Sequence, residues 1–153
     1  MNNKDYMFKP ISREEYHKIK WKWMYTKDNC PFCAHKNQEE RIIWKWKKWF
    51  LIYNLSSYSW DHRHIMAVPY DHILLHKDLT QEHFLELKEV HEKVLDFFQT
   101  QDYFSFTRET VNAWTRSVEH LHMHFLVWDL EGKFLRKMLE LQGFPIKQDL
   151  KIN

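Results

Sequence analysis

The stretch His120-Leu121-His122-Met123-His124-Phe125-Leu126-Val127 decides how the rest of the chain is read. A β-strand repeats every two residues, so His120, His122 and His124 fall on one face and Leu121, Met123 and Phe125 on the other. Burying the apolar face in a core leaves three imidazoles in a row along one wall. Imidazole is a nucleophile, a proton carrier near neutral pH and a metal ligand. A His-rich surface strand fits poorly, because the intervening residues are all large and apolar. The pattern points to chemistry or to metal.

Outward from this strand, the pattern predicts an α+β domain: an antiparallel sheet, one long packed helix and short terminal helices. Ser12-Arg13-Glu14-Glu15 has the form of a capping box opening a helix through about Met24. Residues 41–54 turn β, with Ile42, Ile43, Trp44 and Trp46, then Trp49 to Tyr53. In this reading Trp44 and Trp46 face inward and Lys45 and Lys47 outward. Residues 56–61 make a polar loop. His64-Ile65-Met66-Ala67-Val68-Pro69 is a short strand stopped by proline. Thr80 caps a helix to about Gln99, whose apolar set is Phe84, Leu87, Val90, Val94, Phe97 and Phe98. A strand from Tyr103 to Val111 precedes the histidine run. A last helix over 133–142 ends at Gly143, with Pro145 beyond. The 153 residues fit one domain, with 1–29 a helical extension, 30–128 the core and 129–153 a C-terminal helix and tail.

Composition narrows the function. Only Gly132 and Gly143 are glycines, which excludes glycine-rich phosphate loops. A net charge of +2 neither demands nor excludes a nucleic-acid partner. No run reaches the roughly 18 apolar residues of a membrane span, and the N-terminus lacks an apolar signal core. A cytoplasmic location is therefore expected. Arg41 to Trp49 interleaves basic and aromatic residues, as single-stranded nucleic-acid binders do. Strand alternation alone also produces that pattern and is the preferred account. Lys18, Lys20 and Lys22 read as a solvated helix face.

Cys30-Pro31-Phe32-Cys33 implies redox chemistry, metal or a pair of free buried thiols. Zinc prefers thiolate and imidazole. His72, just past the Pro69 strand end, and His120 are the natural completing ligands. Such a site is closed, with no position left for water, and its role is structural.

The chain resembles the histidine triad hydrolases and transferases, whose signature alternates histidine with apolar residues as residues 120–127 do. The resemblance runs from about Cys30 to Trp128. In the zinc-bearing branch a CxxC is joined by a histidine after the strand corresponding to residues 63–69 and by the first triad histidine. Here those are Cys30, Cys33, His72 and His120, the set the donor chemistry also selects.

The resemblance implies a function. His122 is the expected nucleophile, attacking the α-phosphorus of a nucleoside phosphate conjugate through a nucleotidyl-histidine intermediate. His124 is expected at the phosphate or leaving group, with Ser117 supplying a hydroxyl nearby. Asn54, His64, Asn112 and Arg116 are expected to line the substrate pocket. Asn54 and Asn112 also suit ordinary turns, and Arg116 stands where relatives carry glutamine. Arg108 is a further phosphate contact or a surface ion pair. Dinucleoside polyphosphates and nucleotide phosphoramidates are the implied substrates, with release of a nucleoside monophosphate. The alternatives are transfer to a phosphate acceptor, action on adenylated DNA ends, and a non-catalytic nucleotide-binding module. Relatives also imply a homodimer.

Overall fold

The computed structural model describes residues 11–19, 30–58, 63–109 and 118–127. Helix α1 (Arg13–Ile19) opens on the predicted capping box. The Ser12 amide donates to Glu15 Oε2 at 2.9 Å and the Glu15 amide to Ser12 Oγ at 3.2 Å. The chain beyond Ile19 to residue 29, and the predicted helix over 133–142, lie outside the described residues.

Strands β1 (Ile42–Lys45), β2 (Trp49–Tyr53), β3 (His64–Pro69), β4 (Phe104–Thr107) and β5 (Met123–Leu126) form an antiparallel sheet in the order β1-β2-β3-β5-β4. The strand last in sequence is thus inserted between β3 and β4. Helix α2 (Gln81–Phe98) covers one face. Its Val90, Val94 and Phe98 pack with Trp49, Leu51 and Tyr53 of β2, Ile65 and Ala67 of β3, and Leu121, Phe125 and Val127. The alternate residues Phe50, Ile52, Met66 and Val68 face the other way, against Cys30, Phe32 and Val118. Both sheet faces are therefore buried, and β2 and β3 read as continuous apolar runs for that reason. No helix among the described residues is long and apolar enough to cross a membrane.

The strand expected over residues 103–111 spans only Phe104–Thr107, with Tyr103, Arg108 and Glu109 outside it, and three further details differ from the sequence reading. Trp44 is 48% exposed rather than turned inward, because the register slips between Ile42 and Trp44 and resets the alternation. Lys93 places its ammonium 4.3 Å from the Trp44 ring instead. Phe84 is 52% exposed, since it lies in the first turn of α2, at the rim of the helix–sheet contact. The third concerns the histidine run: the strand begins at Met123, so only His124 of the three histidines lies within the ladder.

The start of α2 is unusual. Thr80 is the N-cap, but His83 occupies the position glutamate usually takes. Its Nδ1 accepts from the Thr80 amide at 3.3 Å and lies 2.8 Å from the Thr80 hydroxyl. Its Nε2 lies 3.3 Å from Asp71 Oδ2, and the ring is wholly buried. Burial pushes the His83 pKa down, Asp71, Glu86 and Glu82 push it up, and Lys48 pushes it down, with a net lowering. A depressed native pKa means the folded state favours neutral imidazole. His83 then contributes stability above the unfolded value of about 6.5 that is lost as pH falls below it toward the native pKa. Urea unfolding at pH 7.5 and 5.5 should show a larger loss of stability on acidification in wild type than in His83→Gln. Equal losses in the two proteins would contradict this role.

Candidate active site and metal centre

The site is built on the sheet face opposite α2. β3 turns His64, Met66 and Val68 to that face and β5 turns His124 to it, as strand alternation requires. His120 and His122 precede β5. Their segment is held by the Leu121 amide, which donates to the Ile73 carbonyl at 2.6 Å and ties the histidine run to the loop carrying His72.

Cys30, Cys33, His72 and His120 converge at one end of the run. Their ligand atoms all lie within 4.8 Å of one another. Cys30 Sγ is 3.3 Å from His120 Nδ1, and Cys33 Sγ is 3.1 Å from His72 Nδ1 and 3.7 Å from His120 Nδ1. Metal bonds of about 2.0–2.3 Å at tetrahedral angles imply ligand separations of roughly 3.3–3.8 Å, so these distances suit a single ion. The orientation of His120 fits as well. Its Nε2–H donates to the Pro69 carbonyl at 2.8 Å, which leaves the Nδ1 lone pair directed at the thiols. Burial pushes the Cys30 thiol up to about 12, with the neighbouring Cys33 raising it further against local backbone hydrogen bonds. Two thiolates in this buried corner are costly unless a dication compensates them.

Beside this cluster lie the other histidines. His122 Nδ1–H donates to the His120 carbonyl at 2.6 Å. That bond assigns the proton to Nδ1 and leaves the Nε2 lone pair as the reactive position. The rings of His122 and His124 are 4.8 Å apart. His124 Nδ1 is 2.8 Å from His64 Nε2, and His64 Nδ1 accepts the Tyr58 amide at 3.1 Å. Reading the protons along this chain, His64 carries its hydrogen on Nε2 and gives it to His124 Nδ1. Neutral His124 therefore carries its own hydrogen on Nε2, as a donor. Two imidazoles side by side thus present one lone pair and one N–H.

Of the remaining sequence-predicted residues, Asn54 is near the histidines. Its Nδ2 lies 3.0 Å from both ring nitrogens of His64, and its Oδ1 accepts the Ser56 amide at 3.1 Å, an Asx turn. Asn112, Arg116 and Ser117 lie outside the described residues. Three aromatic neighbours were missed by sequence reasoning. Phe106 of β4 stacks flat on His124, with centroids 4.4 Å apart and planes 14° apart. Tyr58 packs on His64 at 5.2 Å and on His124 at 6.0 Å. Phe32 lies 5.2 Å from His122 and 5.6 Å from His120. Phe106 alone had a signal, as the cross-strand partner of His124 once β4 and β5 are paired in register.

Fold and histidine arrangement together define a histidine triad protein. The family described as scavenger mRNA decapping enzyme C-term binding, a member of that group, matches residues 29–139, and the chain belongs to the histidine triad family. Among solved structures the chain is similar to a HIT family hydrolase from Clostridium thermocellum. The two are 24% identical, with a TM-score of 0.55 over 70% of this chain and 96% of that one. It is also similar to a Zn-bound histidine triad family protein from Mycobacterium smegmatis, at 17% identity and a TM-score of 0.51, covering 68% and 78% of the two chains. A diadenosine triphosphate hydrolase from Plasmodium falciparum is 13% identical, with a TM-score of 0.50 over 69% of this chain and 76% of that one. No curated protein matches the chain in sequence. At these identities the structural likenesses establish the fold.

Proposed function

We propose that the protein is a nucleotide-binding histidine triad hydrolase. It attacks the α-phosphate of a nucleoside phosphate conjugate through His122 and releases a nucleoside monophosphate. The observation that carries this reading is the 2.6 Å bond from His122 Nδ1 to the His120 carbonyl, which presents Nε2 as an unprotonated nucleophile. The Nε2 lone pair forms a bond to phosphorus. The bond from phosphorus to the bridging oxygen or nitrogen breaks, and the leaving group departs with the electron pair.

His122 becomes positively charged in the intermediate, and its Nδ1–H bond to the carbonyl strengthens as that charge develops. His124, donor at Nε2, hydrogen-bonds the leaving atom and stabilises its growing negative charge. Water then attacks phosphorus, the P–Nε2 bond breaks, and the proton from water passes to solvent. Asn54, Asn112, Arg116 and Ser117 are assigned to the ribose and phosphates in this reading. Dinucleoside polyphosphates and nucleotide phosphoramidates are the substrate classes, the first being the kind named for the Plasmodium neighbour.

Cys30, Cys33, His72 and His120 would hold a structural zinc ion, which would fasten the Cys30–Cys33 turn to the histidine run. With four side-chain ligands it would supply rigidity and would take no part in bond making.

The intermediate provides the direct test. Protein mixed with diadenosine polyphosphate and quenched in base should carry a covalent adenylyl group in intact-mass measurement. Peptide mapping should place it on His122, and His122→Ala should carry none. An adduct on another residue, or an unchanged adduct in the variant, would overturn the assignment.

A further inference from the structure

We propose that Phe32 is a positioning residue for His122, through which the Cys30–Cys33 metal turn controls the orientation and tautomer of the nucleophile. The inference rests on the reading of His122 given above. Phe32 is only 4% exposed and lies between two ligand thiols, Cys30 two residues before it and Cys33 immediately after. Its backbone is therefore pinned on both sides whenever the centre is assembled. Its ring spans the two sites. It stands edge-on to His120, a metal-centre residue, at 82°, and tilted at 55° to His122.

His122 needs such a wall. It lies just before β5, outside the ladder that fixes His124. Its bond to the His120 carbonyl is a local one, to a group two residues back. A half-turn of the ring about its second side-chain bond would exchange Nδ1 and Cδ2, break that bond and turn the reactive nitrogen away. The phenyl ring whose centroid lies 5.2 Å away is the neighbour that opposes this rotation in the proposal, and the Cys30–Cys33 turn carries it. Phe32 belongs to the same buried cluster as Phe50, Ile52, Met66, Val68 and Val118, so the turn is seated on the sheet.

The test uses Phe32→Leu in the zinc-loaded full chain, with Phe32→Met as a second variant should the first fold poorly. Three quantities are read: zinc content, the imidazole nitrogen–proton correlations by NMR, and kcat and KM for diadenosine polyphosphate. Zinc should stay near one equivalent. His122 should change from a single Nδ1–H tautomer to a mixture. The kcat should fall by about tenfold or more while KM stays within about twofold, as expected for a misplaced reacting group. Chelating the zinc should lower kcat in wild type and add little to the loss in the variant, because both act through one ring.

A single Nδ1–H tautomer with full kcat in the variant would overturn the proposal. So would a raised KM at unchanged kcat, which would make Phe32 a wall of the substrate pocket. Fully additive losses on chelation would also overturn it. If instead His122→Ala keeps its turnover while Phe32→Leu still mixes the tautomers, the hydrolase reading fails and the positioning role stands.

Discussion

His122→Ala should lose release of nucleoside monophosphate by about four to six orders of magnitude, the scale seen when a covalent nucleophile is removed. Among the described residues neither adjacent histidine is placed to substitute. His124 Nδ1 is occupied by His64, and the assigned tautomer puts its hydrogen on Nε2, so it offers no lone pair to phosphorus. His120 uses Nε2 on the Pro69 carbonyl and directs Nδ1 to the thiols. His124→Ala should cost less, about 10²–10³ in kcat, because it removes a donor to the developing charge and leaves the nucleophile intact. Steady-state assays with diadenosine polyphosphate or a phosphoramidate will rank the two. Equal turnover by wild type and His122→Ala would remove the enzymatic assignment of this residue.

The second large effect concerns the metal. Cys30→Ser should reduce bound zinc from about one equivalent to below about one-tenth, and should lower the melting temperature by roughly 10 °C. The estimate follows from linkage: free metal at about a thousand times its dissociation constant adds about 4 kcal/mol. In a domain of this size each kcal/mol moves the midpoint by about 2–4 °C. Chelator should lower the wild-type midpoint toward that of the variant and leave the variant nearly unchanged. Metal analysis and scanning calorimetry read both. A wild-type protein purified without chelator that holds no zinc and melts alike with or without added metal would contradict the centre.

Local sequence carried some of this structure well and some of it poorly, for identifiable reasons. β3 was legible to the residue because an apolar run ends at Pro69, and α2 because Thr80 and a 3.6-residue period mark its start and course. The grouping of Cys30, Cys33, His72 and His120 was legible because donor chemistry and the family resemblance select the same four residues, and their side chains do converge. Trp44 was misplaced because the alternation argument assumes an unbroken register, and a slip at Ile42 removes that premise. His83 was passed over because its role depends on Asp71, which reaches it from a loop twelve positions earlier. Tyr58, Phe32 and Phe106 were missed for the same physical reason. Phe32 and Phe106 meet the histidines from distant segments, Tyr58 meets His64 across the loop before β3, and no local period announces such meetings. The split of roles among the three histidines came through the family resemblance, and the hydrogen bonds of His120 and His122 supply its geometric counterpart.

The sheet order β1-β2-β3-β5-β4 has a consequence for how the protein is made. β5 is the last described strand to be synthesised, yet it is wedged between two earlier ones. Until residues 120–126 leave the ribosome, β3 has an open edge flanked by Ile65 and Ala67, and the cysteine turn lacks one of its two histidine partners. A nascent or truncated chain ending before that point would expose an unpaired apolar strand, the kind of edge on which chains associate. Insertion of a single segment then closes the sheet, brings His120 to the two cysteines and sets His124 beside His64. Among the described residues, closure of the sheet and assembly of the cysteine and histidine cluster are one late event in the life of this chain.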